Sequence, residues 1–173
     1  MRKFFQRLGS SLMLPVAVLP AAAVLLGIGY WIDHDGWGTG NAVAAFLIMA
    51  GKSIIDNIAM LFALGVALGM SKDRDGSAAL SGLVAYLVVT TLLGSDSVAM
   101  LQGIDPENVD PSFIKIGNAF VGIICGLVAA SMYNRFSHVR LPDALAFFSG
   151  KRLVPIMTSL AMLVLSLVLL LVW

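Results

Sequence analysis

Residues 153–173 carry no charged side chain and are dominated by Leu, Val and Met, with Thr158, Ser159 and Ser166 the only hydroxyl groups. A helix of that length rises roughly 30 Å, the thickness of a bilayer's hydrocarbon core. The rest of the chain is built the same way. It is 59% hydrophobic and only 12% charged, with a mean hydropathy of +0.93. A soluble domain carries about a quarter charged residues, so this composition excludes one. The expected fold is an all-α membrane protein with five transmembrane helices, over residues 12–32, 54–70, 78–94, 116–133 and 153–173.

Each span has its own punctuation. Residues 1–11 are basic and amphipathic, alternating Arg2, Lys3 and Arg7 with Phe4, Phe5 and Leu8. The run after them is too long for a signal-peptide core and reads as a retained first helix. Pro15 and Pro20 should bend it, since each removes a backbone donor. Tyr30, Trp31 and Trp37 make an aromatic belt at the far interface, and Trp173 should end the chain at the same one. Residues 42–70 are too long for one straight span. The natural break is Gly51–Lys52, giving a half-length helix over residues 42–50 before the second span. Residues 95–115 hold Asp96, Asp105, Glu107 and Asp110 against Lys115 alone, and read as a solvated acidic loop.

Nine of the eleven basic residues (Arg2, Lys3, Arg7, Lys72, Arg74, Arg135, Arg140, Lys151 and Arg152) fall on one side of this arrangement. Six of the ten acids (Asp33, Asp35, Asp96, Asp105, Glu107 and Asp110) fall on the other. Lysine and arginine bias sets orientation, so the N-terminus is expected inside. The cytoplasmic hinge between the last two spans holds Arg135, Arg140, Pro142, Lys151 and Arg152. Pro142 suits a helix start and Asp143 its first turn. With Leu141, Leu145 and Phe148 on one face and Gly150 as a left-handed stop, the hinge reads as an amphipathic helix at the cytoplasmic face.

Few residues could carry chemistry. Lys52 and Asp56 lie four apart, inside or near the apolar layer, where ionisable groups are costly and point to function. A structural pair pinning the helix end at the interface is the alternative. Asp56 and Asn57 are the candidate substrate-binding groups. Gly65 and Gly69, and Gly122 and Gly126, form small-residue faces for close helix contact. Cys125 is the only cysteine and lies in an apolar span, and the two histidines have no metal-ligand spacing. No nucleophile–base pair, catalytic residue, metal, cofactor or nucleic-acid partner is expected.

Three stretches have a wider resemblance: SLMLPVAVLPAA in the first span, IIDNIAMLFALGVALGMSKD in the second, and YNRFSHVRLPDALAFFSGKRLVPI around the hinge. They resemble the membrane (IIC) component of the glucose and N-acetylglucosamine branch of the bacterial phosphoenolpyruvate-dependent sugar phosphotransferase system. Asp56-Asn57 and Leu141-Pro142-Asp143 look more like the N-acetylglucosamine members. The resemblance implies a multi-pass protein of the bacterial inner membrane. It also implies a homodimer, a hexose or N-acetylhexosamine substrate, and a IIB phosphocarrier domain as partner. Complete members take part in transfer from phosphoprotein to sugar. They are about twice this length, and their second half carries most sugar contacts. The chain is therefore expected to be the N-terminal scaffold and dimerisation half, without the substrate-binding half and not catalytic alone. A stand-alone membrane structural or receptor protein is the alternative function.

Overall fold

The computed structural model describes residues 1–35 and 37–172, and every regular element among them is helical. The expectation for Trp173 lies outside the described residues. The eight α-helices are α1 (Arg2–Val16), α2 (Leu19–Ile32), α3 (Ala42–Asp56), α4 (Ile58–Met70), α5 (Gly76–Leu92), α6 (Ser95–Gln102), α7 (Ala119–Phe136) and α8 (Leu153–Val172). Among the described residues three stretches are long and apolar enough to cross a membrane: Arg2–Ile32, Ala119–Phe136 and Gly150–Val172. The number rises to five if α3 with α4, and α5 with α6, each count as one broken span. The helices group into two compact units, Met13–Ile58 and the combination of Met1–Leu12 with Ala59–Trp173.

The smaller unit is an antiparallel hairpin of α2 and α3. A Cβ on Gly29 would lie 3.1 Å from the Ala44 carbonyl oxygen, and one on Gly51 would lie 2.9 Å from that of Ala22. Small residues at both ends of the contact thus let the two backbones touch. The connecting loop is closed by side chains. Asp33 Oδ2 accepts from the amides of Gly38 at 3.1 Å and Gly40 at 2.9 Å. Asn41 Oδ1 caps α3 by accepting from Val43 N at 2.8 Å. Tyr30 and Trp37 meet edge to face with centroids 5.4 Å apart.

Two breaks differ in character. The first falls at Ala17 and Val18, between α1 and α2, with Pro15 before it and Pro20 in the first turn of α2, as the two prolines predict. The second corrects the expected break at Gly51–Lys52. Helix α3 runs unbroken through that pair, because Gly51 packs on α2, and ends instead at Asn57. The Asn57 amide donates to the Ser53 carbonyl at 2.8 Å and its backbone leaves the helical region, at φ −103° and ψ 15°. A side chain that bonds a nearby carbonyl competes with the helix ladder at that point. The segment read as a half-length helix therefore has 15 residues. Helix α4, with 13, rises only about 20 Å.

In the larger unit α5 packs on α7 and α8, and α7 on α8. Helix α4 is held by contacts that only glycine permits. A Cβ on Gly82 of α5 would lie 2.7 Å from the Ala63 carbonyl oxygen, and one on Gly126 of α7 would lie at the same distance from the same atom. A Cβ on Gly122 would collide with the Ala59 carbonyl, and one on Gly69 with Ser11 of α1. Around these approaches lies a core of Ala59, Ala63, Ala67, Ala85, Val89, Val121, Cys125, Ala129 and Met162.

The stretch 95–115 corrects the solvated-loop reading. Helix α6 turns 55° from α5 at Gly94, and two 3-10 turns follow at Pro106–Asn108 and Pro111–Lys115. Asp96, Asp105, Glu107 and Asp110 stay exposed, while Val98, Val109, Phe113 and Ile116 enter the core. Acid content foretold the exposed side only, and these spaced apolar residues supply the other.

Candidate functional site

Where α4 ends, its last carbonyl groups have no partner within the helix. Here the carbonyl of Met70, and that of Ser71 just beyond the helix, are met by side chains from distant parts of the chain. Asn134, near the end of α7, donates to the Met70 carbonyl at 3.1 Å and accepts from the Lys72 amide at 2.7 Å. Arg7 of α1 donates to the Ser71 carbonyl at 3.0 Å. The loop beyond is held too. Asp73 Oδ2 accepts from the Tyr133 hydroxyl at 3.2 Å and lies 3.6 Å from His138 Nε2. Asp75 caps α5 through Oδ1, which accepts from the Ser77 amide at 2.9 Å and hydroxyl at 2.7 Å. Its other oxygen accepts from Lys151 Nζ at 2.5 Å.

This arrangement locks the α4–α5 loop to the hinge between α7 and α8. The hydrogen bond from Lys151, then those from Ser77, hold the Asp75 carboxyl well below the usual carboxylate range. The same hydrogen bond to Asp75 raises Lys151. Both groups are solvent-accessible, so the pair orders a surface more than it stabilises a core.

The hinge, expected as a short amphipathic helix, is built from 3-10 turns. These are Asp143–Phe148 and Gly150–Arg152, and Pro142 stands just before the first, one place ahead of the helix start expected for it, with no side-chain cap. The Leu141 amide donates to Ser149 Oγ at 2.9 Å, and the Gly150 amide to the Val139 carbonyl at the same distance. Those bonds tie the two ends of the segment together and leave room for a short tight turn only. Gly150 does take the left-handed conformation, at φ +69°. With three residues per turn, Leu145 and Phe148 share an edge that Leu141 leaves. Leu145, Phe147 and Phe148 are exposed.

The remaining sequence candidates are placed as follows. Lys52 and Asp56 are both exposed on α3, and they form no ion pair with each other. Asn57 is exposed and engaged with Ser53. Gly65, Gly69, Gly122 and Gly126 are all buried, the last three at the contacts described above. Arg135 and Arg140 are exposed, and Arg152 sits 4.7 Å above the Phe147 ring and donates to its carbonyl at 3.4 Å. Cys125 is fully buried in the apolar core. Sequence reasoning missed Asp73, Asp75, Tyr133 and Asn134 as one network. The one available signal was Asp75, a capping residue just before Gly76 and Ser77.

The long apolar helices and the glycine-tight core define an all-α protein of the membrane-embedded class. The family model described as the phosphotransferase system EIIC matches residues 9–173. The chain belongs to that family, whose domains are integral to the membrane. It is 46% identical over 170 residues to the N-acetylglucosamine-specific EIICBA component of Escherichia coli (strain K12), covering 98% of this chain and 23% of that protein. It is 39% identical over 173 residues to the N-acetylglucosamine-specific EIICB component of Bacillus subtilis (strain 168), covering all of this chain and 33% of that protein. The chain thus spans about a quarter to a third of the length of these relatives.

Proposed function

We propose that the chain forms the helical scaffold of an N-acetylglucosamine-transporting EIIC unit in the bacterial inner membrane. The unit hands its sugar to a IIB phosphocarrier domain for phosphorylation. The observation that carries this reading is the similarity along essentially the whole chain to two relatives named for N-acetylglucosamine. The component names of both, EIICBA and EIICB, join B to the membrane part, which fits a IIB partner.

The five-span topology with the N-terminus inside draws support from the network at the end of α4. Arg7, Lys72 and Lys151 come from three basic segments, and hydrogen bonds gather all three at one end of the larger unit. That grouping is what a positive-inside arrangement requires. The scaffold role rests on packing. Residues Gly82, Gly122 and Gly126 serve backbone contact, and the sugar is bound chiefly by residues other than these 173. The exposed apolar side of α8, including Leu160, Val164, Leu167 and Leu171, is available to lipid or to a second copy in a homodimer.

The test is a chimaera. Residues 1–173 replace the stretch they match in the Escherichia coli relative, in cells lacking other uptake routes for the sugar. Phosphoenolpyruvate-dependent uptake of N-acetylglucosamine is the expected result. A chimaera that reaches the membrane folded and takes up glucose but no N-acetylglucosamine would overturn the sugar assignment, and one that takes up neither would overturn the scaffold reading.

A further inference from the structure

One cavity in the larger unit, about 300 Å³, has a character the transport reading leaves unused. Its wall includes Lys3, Phe4 and Arg7 of α1, Met70 at the end of α4, and Leu127 and Asn134 of α7. Lys3 and Arg7 are four apart on one helix, so both cations stand over the same opening. No acid lines it. The polar groups of the floor are already engaged: Asn134 serves the Met70 carbonyl and the Lys72 amide, and Ser131 donates to the Leu127 carbonyl at 2.8 Å. The charge in the lining is therefore purely cationic. Arg7 uses one guanidinium nitrogen on Ser71 and keeps further N–H donors, and the exposed Lys3 ammonium keeps three. Everything else in the wall is apolar.

We propose that this cavity binds an anionic phospholipid, with the phosphodiester against Lys3 and Arg7 and an acyl chain along Phe4, Met70 and Leu127. Two cations without a counter-charge call for an anion, and the apolar wall calls for a ligand that brings hydrocarbon with it. A zwitterionic lipid offers the hydrocarbon without the net charge, and a soluble phosphate offers the charge without the hydrocarbon. The inference rests on the membrane location of the family and not on the sugar, so failure of sugar uptake leaves it standing.

The test is native mass spectrometry of the detergent-solubilised chain, titrated with phosphatidylglycerol, with phosphatidylcholine of the same acyl chains, and with soluble glycerol phosphate. Phosphatidylglycerol should be retained at concentrations where phosphatidylcholine is not, and glycerol phosphate should fail to displace it. Lys3→Gln should weaken phosphatidylglycerol about fivefold, as expected for one surface cation, and Lys3→Arg should restore it. The thermal unfolding midpoint of both variants should match the parent, because Lys3 is exposed. Equal retention of the two lipids, displacement by glycerol phosphate, or undiminished retention in Lys3→Gln would each overturn the assignment.

Discussion

Lys151 donates to Asp75 at 2.5 Å across 76 positions of sequence, and the other oxygen of the same carboxylate caps α5. One side chain thus starts a helix and fastens the hinge that precedes the last span. The hinge bears exposed Phe147 and Phe148, so fixing its position also fixes where those rings are presented.

The two roles of Asp75 are separable by mutation and by pH. Its folded pKa is depressed, so its contribution is present above the unfolded value of about 3.9 and is lost as pH falls through the lower folded value. Lys151 is raised, so its contribution is present below about 10.4 and is lost as pH climbs through the higher folded value. Hydrogen exchange at the hinge amides, corrected for the intrinsic rate, should therefore stay level from about pH 5 to 9. Lys151→Gln should speed exchange in the hinge and leave Ser77 and Ala78 protected, whereas Asp75→Ala should release both. Loss of protection at Ala78 in Lys151→Gln would show that the cap and the pair act as one.

Close packing makes a sharper claim. A Cβ on Gly126 would meet the Ala63 carbonyl oxygen and Val66 Cβ, both at 2.7 Å, and backbone has no room to retreat. Gly126→Leu should lower stability by at least about 2 kcal/mol, an overpacking effect. Gly27 offers the control, because nothing lies within 4 Å of its added Cβ. Gly27→Leu should be neutral or slightly stabilising through helix propensity. Equal unfolding midpoints for the two variants in detergent would show that the α4–α7 contact does not hold the unit together.

How far the fold was legible follows from these contacts. The four-residue spacing of Gly122 and Gly126 marked a close-packing face, but a small residue carries no mark of its partner. Ala59 and Ala63 could not be assigned opposite them for that reason. The prolines announced the interruption at Ala17 and Val18, since a missing donor is a local property. The break at Asn57 was hidden because Gly51 looked like the weaker point, and its tertiary role on α2 appears only once α2 is in place. Asp75 and Lys151 are ordinary surface charges in sequence, and only the meeting of two loops makes them a pair. In residues 95–115 the acids drew the reading, while Val98, Val109 and Phe113 decided the structure.

Topology can be read with single cysteines at two exposed sites, Lys72 and Glu107. The background is Cys125→Ala, which keeps the fully buried position apolar. In right-side-out vesicles an impermeant maleimide should label Glu107→Cys and leave Lys72→Cys unlabelled until the membrane is opened. The five-span arrangement places these positions on opposite sides. Labelling of both from one side would require an even number of crossings, or none, between the α4–α5 loop and the 3-10 turn at Pro106–Asn108.

The last expectation concerns the sugar itself. A sugar site needs several convergent hydrogen-bonding groups in a partly dry cavity. The apolar cavity between α5, α6 and α8, about 320 Å³, is lined by Leu92, Leu93, Leu101, Leu163, Leu167 and Leu170, with Ser166 its single hydroxyl. Asp56 and Asn57 are exposed, and the amide of Asn57 is already committed to Ser53. One hydroxyl cannot replace the water around a ring bearing several. Residues 1–173 purified alone should therefore show no saturable binding of N-acetylglucosamine or glucose by calorimetry, while the chimaera described above binds and transports. If the 173 residues bound either sugar in the micromolar range, with affinity lost in Asp56→Asn or Asn57→Ala, the sugar site would lie on the exposed end of α3 and the scaffold assignment would fail.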